Sequence, residues 1–280
     1  MIEFTKKEIL NSELINSEAK KWAYKNMDYL NKPMDLFGTS IKVKKGSKIF
    51  STYVLYLQPA TKVAVKTLCT AAASGGCEKP CLIISGQLGM SVGQNAATKR
   101  TLLWILRPDF FTEKVLSEVD RAERKAAKKG NMPALFRLNG TSDIDFSSII
   151  GARPLSQWYD YTKILSRVRK NKLANYDITF SASMYSKQSK LAFKKAIKSG
   201  YRVAVAFNTK LIASDKLTLP KGMVSFDDTD IRHLDGPVIG SLTRKGSNIS
   251  QRLADDKISA SFFVTSANKD EFNEIIALKG

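Results

Sequence analysis

Cysteine occurs three times in this 280-residue chain, and all three copies fall between positions 69 and 81, as Cys69-x7-Cys77-x3-Cys81. Thiolates are soft donors, so three of them on one loop carry the chemistry of metal ligation. They suffice for three irons of a four-iron, four-sulfur cluster and leave the fourth iron open to substrate or cofactor. Zinc is the competing metal, but a closed zinc site takes four ligands, and His233 is the only histidine. A third reading gives the thiols a small apolar or redox-active role. Their odd number argues against a disulfide framework. The alanines and glycines of 71–76, with Pro80, suit a chain wrapped tightly around a cluster, or an ordinary flexible loop.

Such a loop needs a scaffold that brings other polar groups to the same rim. From residue 61 the sequence alternates apolar, β-branched runs with helical ones. TKVAVKTLC (61–69), MPALFRLNG (132–140), QWYDYTK (157–163), YDITFSAS (176–183), YRVAVAFN (201–208) and GPVIGSLTRKG (236–246) read as strands. Helices are expected over 97–108, 109–130, 143–154, 164–172 and 187–200, with Asp109 or Thr112 capping the second and Gly130 ending it. A strand in ISASFFVTS and a last helix in NKDEFNEIIALKG close the chain. This alternation implies βαβ crossovers, hence an α/β fold with a mostly parallel sheet of about six units. VAVKTL and RVAVAF are almost uninterruptedly apolar, as strands covered on both faces are. Residues 1–60 read as a weakly helical arm and a hairpin around Lys45-Gly46, packed on a main domain of 61–280.

Ligands of parallel α/β folds bind at the carboxyl ends of the strands. The first expected strand ends at Cys69, the second in Asn139-Gly140-Thr141-Ser142-Asp143 with Asp145 behind, and the third in Asp160-Tyr161-Thr162-Lys163. The fourth ends in Ser181-Ala182-Ser183, the fifth at Asn208, and the sixth in Thr243-Arg244-Lys245-Gly246. Every end is polar. Plainer roles stand beside each: Asp143 and Asp145 as helix caps, or as a pair for Mg²⁺; Ser183 as the cap of the following helix; Lys163 as a surface lysine; Arg137 in a buried ion pair with Asp143 or Asp160; Tyr159 and Tyr161 as core; His233 as a loop hydrogen-bonding residue.

CTAAASGGCEKPCLIISGQLG, FRLNGTSDIDF, WYDYTK and YDITFSAS resemble, in the same order, segments of a bacteriophage family known as "gene product eighty-eight". The likeness covers roughly residues 40–246 and implies a phage origin, with no settled activity. More loosely, the chain resembles radical SAM enzymes, which have a (β/α)6 partial TIM-type barrel with three cysteines after the first strand, usually spaced Cys-x3-Cys-x2-Cys. That resemblance implies a 4Fe-4S cluster on Cys69, Cys77 and Cys81 and S-adenosylmethionine as cofactor. Asn139, Gly140, Thr141 and Asp143 fall where such enzymes hold the methionyl amine, and Ser181 and Ser183 where hydroxyls meet ribose or carboxylate. Arg137, Lys163 or Arg244 would pair with the carboxylate, Val238-Ile239-Gly240 would flank the adenine, and Lys163 and Asp143 would be the catalytic candidates.

Lys plus Arg number 45 and Asp plus Glu 26, a net charge of +19 and a pI near 9.8. This balance favours polyanions, so nucleic acid is an expected partner, either as substrate of an enzyme or as the ligand of a basic phage protein whose cysteines hold a structural zinc. No apolar run approaches the roughly 20 residues of a membrane span, and the N-terminus lacks an apolar core of the secretory type. The expected location is the cytoplasm, that of the host for a phage protein. No Walker A loop and no HExxH motif occurs.

Overall fold

The computed structural model describes residues 3–38, 50–128, 133–208, 223–228, 230–243, 262–265 and 267–279. Three short helices, α1 (Lys6–Asn11), α2 (Ser17–Lys25) and α3 (Met27–Asn31), lead into strands β1 (Phe37–Gly38) and β2 (Ser51–Leu55). Then follow α4 (Ala72–Gly75), α5 (Ser91–Leu106), α6 (Pro108–Lys128), β3 (Ala134–Arg137), α7 (Ser147–Gly151), β4 (Gln157–Thr162), α8 (Leu165–Lys170) and β5 (Tyr176–Ser181). The chain closes with α9 (Lys187–Lys198), β6 (Val203–Phe207), β7 (Met223–Ser225), β8 (Ile239–Thr243) and α10 (Lys269–Ile276).

The strands form one open sheet in the order β1-β2-β3-β4-β5-β6-β8-β7. β1 runs antiparallel to β2, and every other pairing is parallel. From β2 to β6 each strand lies beside its predecessor, so same-handed crossovers put the connecting helices on one face. Alternation along the strands sorts the side chains accordingly. Ala134, Phe136 and Trp158 pack with Phe111, Val115 and Ile150 of the helices, and the Phe136 and Trp158 rings are 5.1 Å apart. Val203, Val205 and Phe207 pack with Phe193 of α9 and Phe272 of α10. Burying each such side chain contributes about 1.5–3 kcal/mol. On the other face Leu135 and Tyr159 pack with Phe50 and Ile231, and Phe226 lies so close on β8 that a Cβ at Gly240 would stand 2.1 Å from its ring.

The expected α/β class with a mostly parallel sheet is what forms, but its first parallel strand is β2 and not 61–69. Ala60, at φ 49°, follows Pro59 and turns the chain, and the amides of Lys62 and Leu68 bond to the nearby carbonyls of Pro59 and Ala60. Apolar content there serves burial, with Val63 and Leu68 in the interior, not a ladder. β7, at the sheet edge, was not foreseen. β2 belongs to the expected arm of 1–60 yet pairs with β3, and Phe4, Ile9 and Leu30 of the arm join the main core. The Lys45-Gly46 turn and Gly130 lie outside the described residues. Neither Asp109 nor Thr112 caps α6, because that helix starts at Pro108 directly after Arg107. Proline fits a first helical position, where its missing N–H would be unpaired anyway. Among the described residues no helix is long and apolar enough to cross a membrane.

Candidate functional site

The loop that leaves the carboxyl end of β2 carries all three cysteines. It is tied down from two sides. The Asp143 amide donates to the Leu68 carbonyl at 3.0 Å. Ser183 and Ser186 donate their hydroxyls to the carbonyls of Gly75 and Ser74 at 2.7 and 2.6 Å. α4 ends at Gly76, whose φ of 68° is left-handed, and a Cβ there would meet the Tyr185 ring at 2.3 Å. Glycine is required on both counts.

Cys69, Cys77 and Cys81 line one cavity of about 1190 Å³, which also touches residues 139–143, Lys163 and Ser181. The thiols are half-buried and unbridged. Burial pushes Cys69 up to about 12, with the other two thiols adding to the rise, and Cys81 up to about 11. Cys77 is also raised by burial, but Lys163 works against the rise. The Cys69 Sγ faces the Thr141 carbonyl at 3.7 Å and the Cys77 Sγ the Ala72 carbonyl at 3.8 Å, long contacts of weak donors. Among the described residues no three Cys, His, Asp or Glu side chains are drawn into a ready ligand cage. The donor set therefore has the chemistry for a metal and lines one cavity, but the three thiols do not converge on a common centre.

Residues 139–143 come from the end of β3. Asn139 is buried and fully engaged: its side chain donates to the Ile144 carbonyl at 2.9 Å and to Asp160 at 3.2 Å, and accepts from Ser142 and from the Ile144 amide. Its amide donates to Asp160 at 2.8 Å. Thr141 donates its hydroxyl to the Leu57 carbonyl, and Gly140 lies where a Cβ would stand 2.6 Å from the Leu55 carbonyl. These polar side chains hold the loop. Burial raises Asp160 to about 6 against the pull of Arg137 and the Asn139 amide.

Asp143 joins this loop to the end of β4. It accepts from Thr162 Oγ1 at 2.8 Å, from the Lys163 amide at 2.9 Å, and from Arg167 of α8. It does not cap α7, and Arg137 pairs elsewhere, with Asp230 at 3.0 Å and Asp160 at 3.9 Å. Asp145 accepts from the Ser147 amide and hydroxyl in a local turn, while the N-cap position of α7 is Phe146, so the capping role expected of Asp145 is not the one it takes. Lys163 is no surface lysine. Its Nζ donates to the Ser181 carbonyl and hydroxyl at 3.2 and 3.3 Å and sits 4.5 Å from the Phe262 ring centroid. Desolvation lowers its proton affinity, while Cys77 and Asp143 oppose that shift.

Ser183 is set apart. It lines a second, smaller cavity of about 330 Å³ that shares Lys163 and Ser181 with the first, and the cap of α9 is Ser186, through a reciprocal box with Ser189. Arg244 lies outside the described residues. His233 packs edge-on against Phe50, 4.8 Å between centroids, just before β2, whereas the cysteines follow that strand's far end. A zinc site that recruits His233 is therefore not assembled. Sequence reasoning missed Asp230, which accepts from Arg137, Tyr159 and Tyr161 on the cavity side of the sheet. Its only cue was the acidic run Asp227-Asp228-Thr229-Asp230 in a basic chain. It also missed a Gly-x-Ser-x-Gly run at Gly89–Gly93. No strand precedes Ser91, which is exposed at the start of α5 and faces neither cavity, so it forms no nucleophile elbow.

A family model described as Gene product 88 matches residues 22–261. The chain belongs to the Gene product 88 family. That is a bacteriophage family, and the match takes in the three cysteines, residues 139–143, Lys163 and Ser181. No curated protein and no solved structure matches the chain.

Proposed function

We propose that this Gene product 88 chain is a phage iron–sulfur enzyme related in design to radical SAM proteins, working in the host cytoplasm. One observation carries the reading: Cys69, Cys77 and Cys81 share a single cavity with residues 139–143, Lys163 and Ser181, at the carboxyl ends of successive parallel strands. Support for the partial TIM-type barrel comes from sequential parallel strands whose crossover helices share one face. The first parallel strand leads into the cysteine loop and the second into Gly140, the order that such enzymes use.

The three thiols would hold a 4Fe-4S cluster, closing together as they lose their protons on metal binding. When bound and reduced by an external one-electron donor, such a cluster would supply the electron for reductive cleavage of the sulfonium of S-adenosylmethionine. The chain's part is to bind and orient. Gly140, lacking a Cβ, lets its backbone pass close to the Leu55 carbonyl and the Tyr56 ring and so sets the course of the loop, and the ammonium of Lys163, steadied by Ser181, would meet a carboxylate. Asn139, Thr141 and Asp143 keep those groups in place through the bonds described above.

Anaerobic reconstitution followed by iron and sulfide analysis tests the reading. The expected result is about four irons and four sulfides per chain, lost in C69A, C77A and C81A alike, and calorimetric binding of S-adenosylmethionine to the loaded protein only. Zinc without sulfide, or iron indifferent to the three substitutions, overturns it.

A further inference from the structure

We infer that the outer face formed by α8 and α9 docks the phosphate backbone of a nucleic acid. Residues 163–200 contain ten Lys or Arg and a single acid, Asp177, and Asp177 is already bonded to Arg202 at 2.7 Å. Arg167 and Lys190 are paired with Asp143 and Glu271. Arg169, Lys170 and Lys172 at the end of α8, and Lys187, Lys195 and Lys198 along α9, are exposed and form no ion pair among the described residues. The charge is thus concentrated in place. α6, by contrast, interleaves acids and bases, and its Asp120 pairs with Arg153.

Both helices pack on one core, through Leu165 and Val168 of α8 and Phe193 and Ile197 of α9, so both cover the same side of the sheet. Lys187 and Lys198 are eleven residues apart, about 16 Å at 1.5 Å per residue. That length spans about five phosphates of one strand at 3.4 Å each. The only large apolar side chain exposed on α9 is Leu191, which leaves too little apolar surface for a helix lying in a membrane interface. Gln188 and Ser189, next to Lys187, line the smaller cavity. A strand following α9 therefore runs up to the rim where Lys163 stands. The inference does not depend on what the cysteines hold.

Fluorescence anisotropy of the full chain with a 20-nucleotide single strand and a 20-base-pair duplex, at several salt concentrations, tests it. The expected slope of log affinity against log salt is about −3.5 to −4.5, each of about five phosphate contacts adding about −0.7 to −0.9. K170Q/K172Q/K195Q/K198Q should reduce that slope by about 3 and lower affinity more than tenfold at low salt. K7Q/K21Q/K25Q/K125Q removes the same charge from exposed positions elsewhere and should cost less than threefold. Circular dichroism checks that both variants fold. Equal losses in the two variants, no salt-dependent binding, or binding to anionic vesicles in place of nucleic acid overturns the inference. Measuring metal-free and reconstituted protein side by side separates it from the iron–sulfur reading.

Discussion

Replacing Asp143 by alanine removes the acceptor that three groups share across two strand ends. The Thr162 hydroxyl, the Lys163 amide and the Arg167 guanidinium all point at that carboxylate. The Asp143 and Arg167 side chains are 10% and 12% exposed, so the guanidinium would be left nearly dry, with only the Ile144 carbonyl at 2.7 Å. Stranding one member of a buried pair costs about 3–5 kcal/mol. The orphaned amide and hydroxyl would each add about 1 kcal/mol or more if they stayed dry. Because Asp143 also borders the large cavity, water reaches them, and the lower half of the range applies. The expected loss is about 4 kcal/mol, a drop in Tm of about 10 °C for a chain of this size. Urea unfolding followed by circular dichroism should show a lower midpoint at unchanged m. D143A/R167M should recover much of the loss, because it removes the stranded charge. A loss below about 1 kcal/mol for D143A, or no recovery in the double variant, would refute the assignment of Asp143 as the tie between β3 and β4.

Gly140→Ala should destabilise by about 1–3 kcal/mol, since its Cβ would meet backbone at the Leu55 carbonyl as well as the Tyr56 ring; thermal melting measures this. Asp160 gives a pH signature. Its folded proton affinity is raised, from 3.8 to about 6, so between these values the folded state binds more protons than the unfolded one. Stability then falls as pH climbs through that window, by up to about 3 kcal/mol at 1.4 kcal/mol per pH unit, and D160N should flatten that part of the urea-midpoint profile. In metal-free protein, burial pushes Cys69 up to about 12 and Cys81 up to about 11. Alkylation at pH 8 should therefore run on the order of a hundredfold slower on native protein than in denaturant, as counted by mass spectrometry. Ser186→Ala removes the box at the start of α9 and should cost about 0.5–2 kcal/mol.

Much of the architecture was legible along the chain because period and punctuation are local properties. QWYDYTK, YDITFS and VAVAF carry the branched and aromatic side chains of strands, and the helices between them carry one apolar stripe each. Clustering of the cysteines, and the polar strand ends, were likewise visible without a structure. What failed was local pattern without tertiary context. VAVKTL has the composition of a strand, yet Pro59 and the turn at Ala60 remove it from the ladder, and Ser51–Leu55 takes its place beside β3. The identities of donors and acceptors, the number and spacing of thiols and the excess of positive charge were set by the sequence alone. The partners were chosen by folding: Arg137 goes to Asp230, ninety-three positions away, and Asp143 to Arg167. Lys163, which local context marks as surface, is drawn inside against Ser181 and Phe262. An ion pair or a buried amine depends on which chain segments share a dry interior, and that is a property of three-dimensional packing that no neighbouring residues encode.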